Sequence, residues 1–126
     1  MIIKDKEIVK ILQYACNEFF DFKDILISDM NVEVGDHITA IGRVSYYGVE
    51  TKVKVVAKIE CQPTKIIIYT KGVIKYGIIN LDFNKLMKEY LKDNDYLHVS
   101  ENGLMIKNDY IKTITYGDGQ IEIELT

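Results

Sequence analysis

The sequence predicts an α+β fold: a strongly curved antiparallel β-sheet, made of a long-stranded meander plus C-terminal hairpins, packed on two amphipathic helices. Three observations predict it. From Val49 to Ile59 the chain alternates without a break, with Val49, Thr51, Val53, Val55, Ala57 and Ile59 on one side. Glu50, Lys52, Lys54, Val56, Lys58 and Glu60 fall on the other. A period of two over this length is a strand with one buried and one wet face. Two further segments repeat apolar residues at helical spacing, one before this strand and one after it. The connections between apolar runs are short and rich in Gly, Asn, Asp and Pro, so successive strands pair antiparallel.

The elements follow in order. Residues Lys4 to Phe20 read as a helix, because Ile8, Ile11, Leu12, Ala15 and Phe19 form one stripe with Lys6, Lys10, Gln13, Asn17 and Glu18 largely opposite. Asp5 is its expected N-cap, and Asp21 to Asp24 end it. Ile25 to Ile27 form a short extended stretch, and Val32 and Val34 close a strand before the turn Gly35-Asp36. Ile38, Ala40, Val44 and Tyr46 share one face of the next strand, and Tyr47-Gly48 turns the chain into the Val49–Glu60 strand. Gln62-Pro63-Thr64 is the following turn, since proline lacks the ladder donor and presets a turn dihedral. Ile66, Ile68, Thr70, Gly72 and Ile74 then alternate with Lys65, Ile67, Tyr69, Lys71, Val73 and Lys75. Gly42 and Gly72 inside these patterns predict bends, bulges or close backbone approach.

The second helix starts at Asp82 as N-cap and carries Phe83, Leu86, Met87, Tyr90 and Leu91 as its stripe, with Lys85, Lys88 and Lys92 outside it. Asp93-Asn94-Asp95 ends it. Asn102-Gly103 joins Leu97–Ser100 to Leu104–Lys107 through an expected type I′ turn, and Asp118-Gly119 joins Ile111–Tyr116 to Gln120–Leu125. No repeat, low-complexity run or linker interrupts the pattern, so residues 1–126 are expected to form a single α+β domain.

Composition narrows the function classes. The chain is 48% hydrophobic and 28% charged with a formal charge of −3, which is ordinary for a globular protein. Two isolated cysteines, Cys16 and Cys61, provide neither a disulfide framework nor a structural zinc site. No signal-peptide pattern opens the chain and no apolar run reaches membrane-spanning length. The expectation is a cytoplasmic protein, or a secreted or surface one if a leader has been removed.

No catalytic signature stands out, so the protein is not expected to be an enzyme. His37 and His98 are the two histidines, each beside acids at a strand edge, where a solvated histidine is the plainer reading than a base or ligand. Asp93-Asn94-Asp95 lacks the glycine and terminal glutamate of a calcium loop. Gly117-Asp118-Gly119 is a hairpin turn without a phosphate-loop context. No cofactor and no metal are expected.

Charge is unevenly placed. Between Arg43 and Lys75 stand seven basic residues, Arg43, Lys52, Lys54, Lys58, Lys65, Lys71 and Lys75, against the two acids Glu50 and Glu60. Acid dominates elsewhere. The candidate surface for a ligand or membrane is therefore Arg43, Lys52, Lys54, Lys58, Lys71, Lys75 and Tyr69. Tyr46, Tyr47, Tyr69 and Tyr76 interleave the basic residues, as at a lipid headgroup layer or a base-stacking platform, or simply as good strand residues. Nucleic acid is disfavoured as a partner, because the patch is lysine-led and the rest of the chain repels a polyanion. The apolar residues Ile8, Leu12, Phe19, Val53, Val55, Ile66, Ile68, Phe83, Leu86, Met87 and Tyr90 make either a closed core or the lining of an apolar groove, since both need the same residue types.

The order of elements, with Val73-Ile74-Lys75-Tyr76-Gly77-Ile78 running into Phe83-Asn84-Lys85-Leu86-Met87 and a final hairpin Asp118-Gly119-Gln120-Ile121-Glu122-Ile123-Glu124-Leu125, resembles the small bacterial tubular lipid-binding-like proteins of the LmeA-like type. That resemblance implies binding of a phospholipid-like ligand in an apolar groove, without catalysis. Two roles are expected on this basis: a non-enzymatic module for an apolar or phospholipid-like ligand or an anionic membrane surface, or a protein-interaction or structural module. The second would be cystatin-like or cone-shaped and would dimerise through its sheet face, with Val56, Ile67 and Val73 in the homodimer interface.

Overall fold

The computed structural model describes residues 1–19, 25–76, 78–91 and 93–126. The expected helix end at Phe20 to Asp24, the junction residue Gly77 and the position of Lys92 lie outside them, as do the side chains of Phe19, Tyr46, Tyr76 and Tyr90. The fold is α+β, with two helices and antiparallel sheets.

The chain opens with β1 (Ile2–Lys4) and α1 (Asp5–Phe19). Asp5 is the first helical residue and not the cap before it. The backbone N–H of Lys4 instead reaches Glu7 Oε1 at 3.4 Å, half of a capping box. The meander follows as β2 (Ile25–Val34), β3 (Ile38–Tyr46), β4 (Val49–Cys61) and β5 (Lys65–Tyr76). The extended stretch at Ile25 and the strand ending at Val34 are one element, interrupted by a register shift between Ser28 and Asn31. The irregularity sits at Asp29, which takes φ 50°, while Gly42 keeps an unbroken register with Val53.

After β5 come β6 (Ile79–Asp82), α2 (Phe83–Tyr90), β7 (Leu97–Ser100), β8 (Gly103–Lys107), β9 (Ile111–Gly117) and β10 (Gln120–Leu125). Asp82 occupies the N-cap of α2, but its carboxylate accepts no capping hydrogen bond. The strands make two sheets. One has the open order β2-β3-β4-β5-β8-β7, with β6 also paired to β5; the other has the order β1-β10-β9. The last hairpin thus does not extend the meander's sheet. It pairs with the N-terminal strand, Ile3 opposite Ile121 and Ile2 opposite Glu122, and forms a second layer.

Parity decides which face is buried. Opposed residues in an antiparallel ladder share a face. The register Ile38–Ala57–Thr70, Ala40–Val55–Gly72 and Val53–Ile74–Leu81 therefore puts these residues on one side. At the β2–β3 end, Val32, Val34 and Ile38 meet Ile8 of α1 and Ile121 of β10, with Ile3, Val9, Leu12, Ala57, Ile59, Ile114, Tyr116 and Ile123 packed around them. The β9–β10 turn is pinned there, since Gly119 N–H donates to Val34 O at 2.8 Å and its carbonyl accepts from Asp5 N–H at 3.0 Å. Asn108 ties the two sheets along the chain: its Nδ2 donates to Gln62 O and Ile111 O, each at 2.8 Å.

The outer edge of β5 is divided. Residues 65–69 pair with β8 and residues 73–76 with β6. At the division Thr70 N–H donates to Asn102 O at 3.1 Å. Its carbonyl accepts from Asn84 Nδ2 at 2.8 Å, and Asn84 also donates to Glu101 O at 2.8 Å and accepts from Thr70 Oγ1 at 2.6 Å. Asn84 is only 7% exposed, so a helix residue completes the sheet where neither neighbouring strand reaches. Gly72 fulfils the expectation of close approach, as a Cβ there would stand 2.8 Å from Lys54 O.

The hairpin β7–β8 departs from the expected I′ geometry. Ser100 pairs with Gly103, and neither Glu101 nor Asn102 has positive φ. Gly103 itself sits at φ 144°, with its Cα packed on the Ile68 carbonyl. The I′-like pattern of two positive φ values appears at Tyr47-Gly48 and Asp118-Gly119.

Two stability outcomes follow. Gly103→Ala is expected to lose at least about 3 kcal/mol, through strained backbone and overlap with a neighbouring strand. Asn84→Ala is expected to lose about 2–3 kcal/mol, because two carbonyls and a hydroxyl lose their partner. Urea unfolding followed by circular dichroism measures both.

Candidate functional site

The opposite parity gives the large sheet its other face, on which no described helix or second sheet is laid. Reading across the strands, Ile41, Lys54, Val73 and Asp82 form one row. Thr39, Val56 and Lys71 form the next, followed by Lys58, Tyr69, Gly103 and Ser100, and then Glu60, Ile67, Met105 and His98. Arg43 stands opposite Lys52, and Lys75 extends that side opposite Asn80. All seven residues expected at a ligand or membrane surface, Arg43, Lys52, Lys54, Lys58, Lys71, Lys75 and Tyr69, are exposed on this one face.

The face is a mosaic. Lys54 lies between Ile41 and Val73 across the strands, and Lys71 lies opposite Val56. Neither lysine has an acidic residue directly across from it. Arg43 and Lys52 are like charges directly opposed, an arrangement that costs stability in a sheet. Arg43 offsets it with Asp29 at 3.5 Å and Glu50 at 3.4 Å. Among the described residues Lys52, Lys54, Lys58, Lys71 and Lys75 make no ion pair.

Tyr69 is not a free aromatic platform. Its hydroxyl donates to Glu60 Oε2 at 2.9 Å, and Gln62 Nε2 donates to Glu60 Oε1 at 3.1 Å. These two bonds, Gln62 first, hold the Glu60 carboxyl below its ordinary range, while the same carboxylate raises the Tyr69 hydroxyl. One of the two acids in the basic segment therefore remains ionised beside the tyrosine.

The apolar set divides differently. Ile8 is buried and Leu12 half-buried in the cluster beneath α1. Val53, Ile66 and Met87 are buried, and Val55, Ile68, Phe83 and Leu86 are half-buried, all on the inner side of the large sheet or on α2. These side chains face the interior and lie apart from the lysine face.

Lys107, Met105, Ile41 and His98 also belong to the open face, and none was singled out for it from sequence. Lys107, Met105 and His98 reach it through the pairing of β5 with β8, which skips β6, α2 and β7. His98 Nδ1 donates to Asp93 Oδ2 at 2.6 Å, while Asp93 Oδ1 accepts from Val99 N–H at 2.9 Å. Asn94 Oδ1 accepts from Tyr96 and Leu97 N–H at 2.8 and 3.0 Å. The Asp93-Asn94 pair thus builds the turn into β7, with Asp93 Oδ1 and Asn94 Oδ1 occupied by backbone donors and Asp93 Oδ2 by the His98 imidazole. Among the described residues no three His, Cys, Asp or Glu side chains gather around a metal-sized site. Both cysteines are free thiols, and burial pushes the Cys16 thiol up. No described helix is long and apolar enough to cross a membrane.

The turn into β7 carries its own pH dependence. The Val99 N–H, with a smaller contribution from His98, holds the Asp93 carboxyl below the ordinary aspartate range. A carboxyl depressed in the folded state stabilises it fully above its unfolded pKa, near pH 4, and loses that contribution as pH falls through the lowered folded value. Asp93→Asn is therefore expected to flatten the acid limb of a stability–pH profile below about pH 4, as measured by thermal unfolding across that range.

No protein-family model matches the chain, and no curated protein or solved structure is significantly similar to it.

Proposed function

We propose that the protein is a non-enzymatic binding module whose open sheet face adsorbs to an anionic, phospholipid-like surface. The observation that carries this reading is the set of lysines that make no ion pair among the described residues, interleaved with Ile41, Val56, Ile67 and Val73 on a seven-stranded sheet face that no other described layer covers. Folding does not call for such a face. Unpaired like charge on neighbouring strands is mildly destabilising, and Val73 gains nothing from standing half in water. Against a headgroup layer both become favourable: lysine meets phosphate, and the short apolar side chains meet the glycerol level.

Homodimer formation through the sheet face is the weaker reading. A two-fold axis on this face would set lysines of one copy against lysines of the other.

Each lysine near an anionic leaflet contributes about 1 kcal/mol, so the expected binding is weak and falls with salt. The protein should co-sediment with vesicles rich in phosphatidylglycerol at low salt and remain in solution with pure phosphatidylcholine. The double variant Lys54→Gln/Lys71→Gln should weaken partition about thirtyfold, whereas Glu122→Gln on the small sheet should not weaken it. Absence of co-sedimentation at low salt would refute the reading.

A further inference from the structure

The turns at the two ends of the large sheet differ in chemistry. At one end the β2–β3 turn is Gly35, Asp36 and His37 and the β4–β5 turn is Gln62, Pro63 and Thr64, all polar or turn-forming residues, with the tyrosines Tyr96 and Tyr110 exposed in the loops before β7 and after β8. At the other end the antiparallel register brings together the start of β2, the β3–β4 turn and the link from β5 to β6. There Leu26 is 73% exposed, Tyr47 67%, Ile79 55% and Ile78 wholly exposed at 101%. Val49 and Ile27 extend the same rim. Four strand spacings separate β2 from β6, so the rim runs roughly 19 Å across the sheet.

Resting on the proposed membrane reading, we infer that this apolar rim is the part that enters the bilayer, so that the protein docks tilted, its rim deepest and its lysine face turned to the headgroups. Surface turns ordinarily carry polar residues, and single exposed apolar side chains are common, but a contiguous rim of them marks an interaction site. Charge selects a lipid leaflet as the occupant. Arg43, Lys52 and Lys75 form the first basic row behind the rim on the open face. The apolar tips reach below the headgroups when these cations stand at phosphate level. Tyr47 has the amphipathic ring that settles at this boundary. Among the described residues the acid nearest the rim on the open face, Glu50, is engaged by Arg43 at 3.4 Å. A rim of isoleucine and leucine backed by cations is the pattern of an interfacial anchor.

The chain contains no tryptophan, so one introduced residue reports depth without background. Ile78→Trp and Tyr69→Trp place the probe on the rim and in the middle of the open face. With phosphatidylglycerol vesicles, the Ile78→Trp emission should shift blue and be quenched by brominated acyl chains, while Tyr69→Trp should stay water-like. Ile78→Ser/Ile79→Ser should weaken partition about tenfold for each isoleucine and leave a residual, salt-sensitive adsorption through the lysines. If Tyr69→Trp is quenched and Ile78→Trp is not, the sheet lies flat: the inference fails and the adsorption reading stands. A blue shift of Ile78→Trp that grows with protein concentration in the absence of vesicles would mean that two copies meet at the rim, which also overturns the inference. If the unmodified protein does not co-sediment at low salt, both fail.

Discussion

Everything in this fold hangs on the register between β4 and its two neighbours. Thirteen residues of β4 alternate without a bulge, and the inward residues Val53, Val55 and Ala57 each meet an inward residue of β3 and of β5. A slip of one position would turn Val53, Val55 and Ala57 to water and bring Lys52, Lys54 and Lys58 against α1 and the small sheet. The cost of burying unpaired ammonium groups makes that alternative inaccessible. The charges that define the open face are thus also what keeps the buried face buried. Site and core are two consequences of one parity.

Periodicity made the long elements legible, and it made their faces legible with them. β3, β4, β5 and both helices were readable because each repeats its pattern often enough to exclude the other period. β1 and β6 were not, since three or four residues with apolar character carry no period, and their identity comes from what they pair with. The same applies to the separation of the last hairpin into its own sheet. Ile121 and Ile123 alternate equally well whichever sheet they join, and the choice is made by Ile3 and Ile8, more than a hundred residues away. Asn102-Gly103 shows the limit of a dipeptide rule. Packing on Ile68 places Gly103 at a strand position, so the turn falls one residue earlier. Of the site, Lys52 to Lys75 could be placed on one face from sequence. Lys107 and Met105 could not, because no local signal specifies that β8 follows β5 across the sheet.

The edge strand β2 is built against edge-to-edge pairing. β2 is a ten-residue edge, long enough to recruit another strand, but its register break at Asp29 interrupts the row of backbone donors. Arg43 reaches out to that same residue, placing a charged pair on the edge. Bulges and charges of this kind discourage edge-to-edge association. The surfaces left available are the open face and the rim, which point in different directions from the edge.

The divided outer edge of β5 has a dynamic consequence. β6 with α2, and the β7–β8 hairpin, are two successive flaps hung on one strand, and the short gap between them is closed by the Asn84 side chain and the Thr70–Asn102 backbone bond. Asn84 belongs to the first flap and holds a carbonyl of the second, so neither can lift from β5 without releasing the other. Their backbone amides should exchange with solvent as one cooperative unit. The β2–β3–β4 half of the sheet, clamped by α1 and the N-terminal strand, would persist while that unit opens.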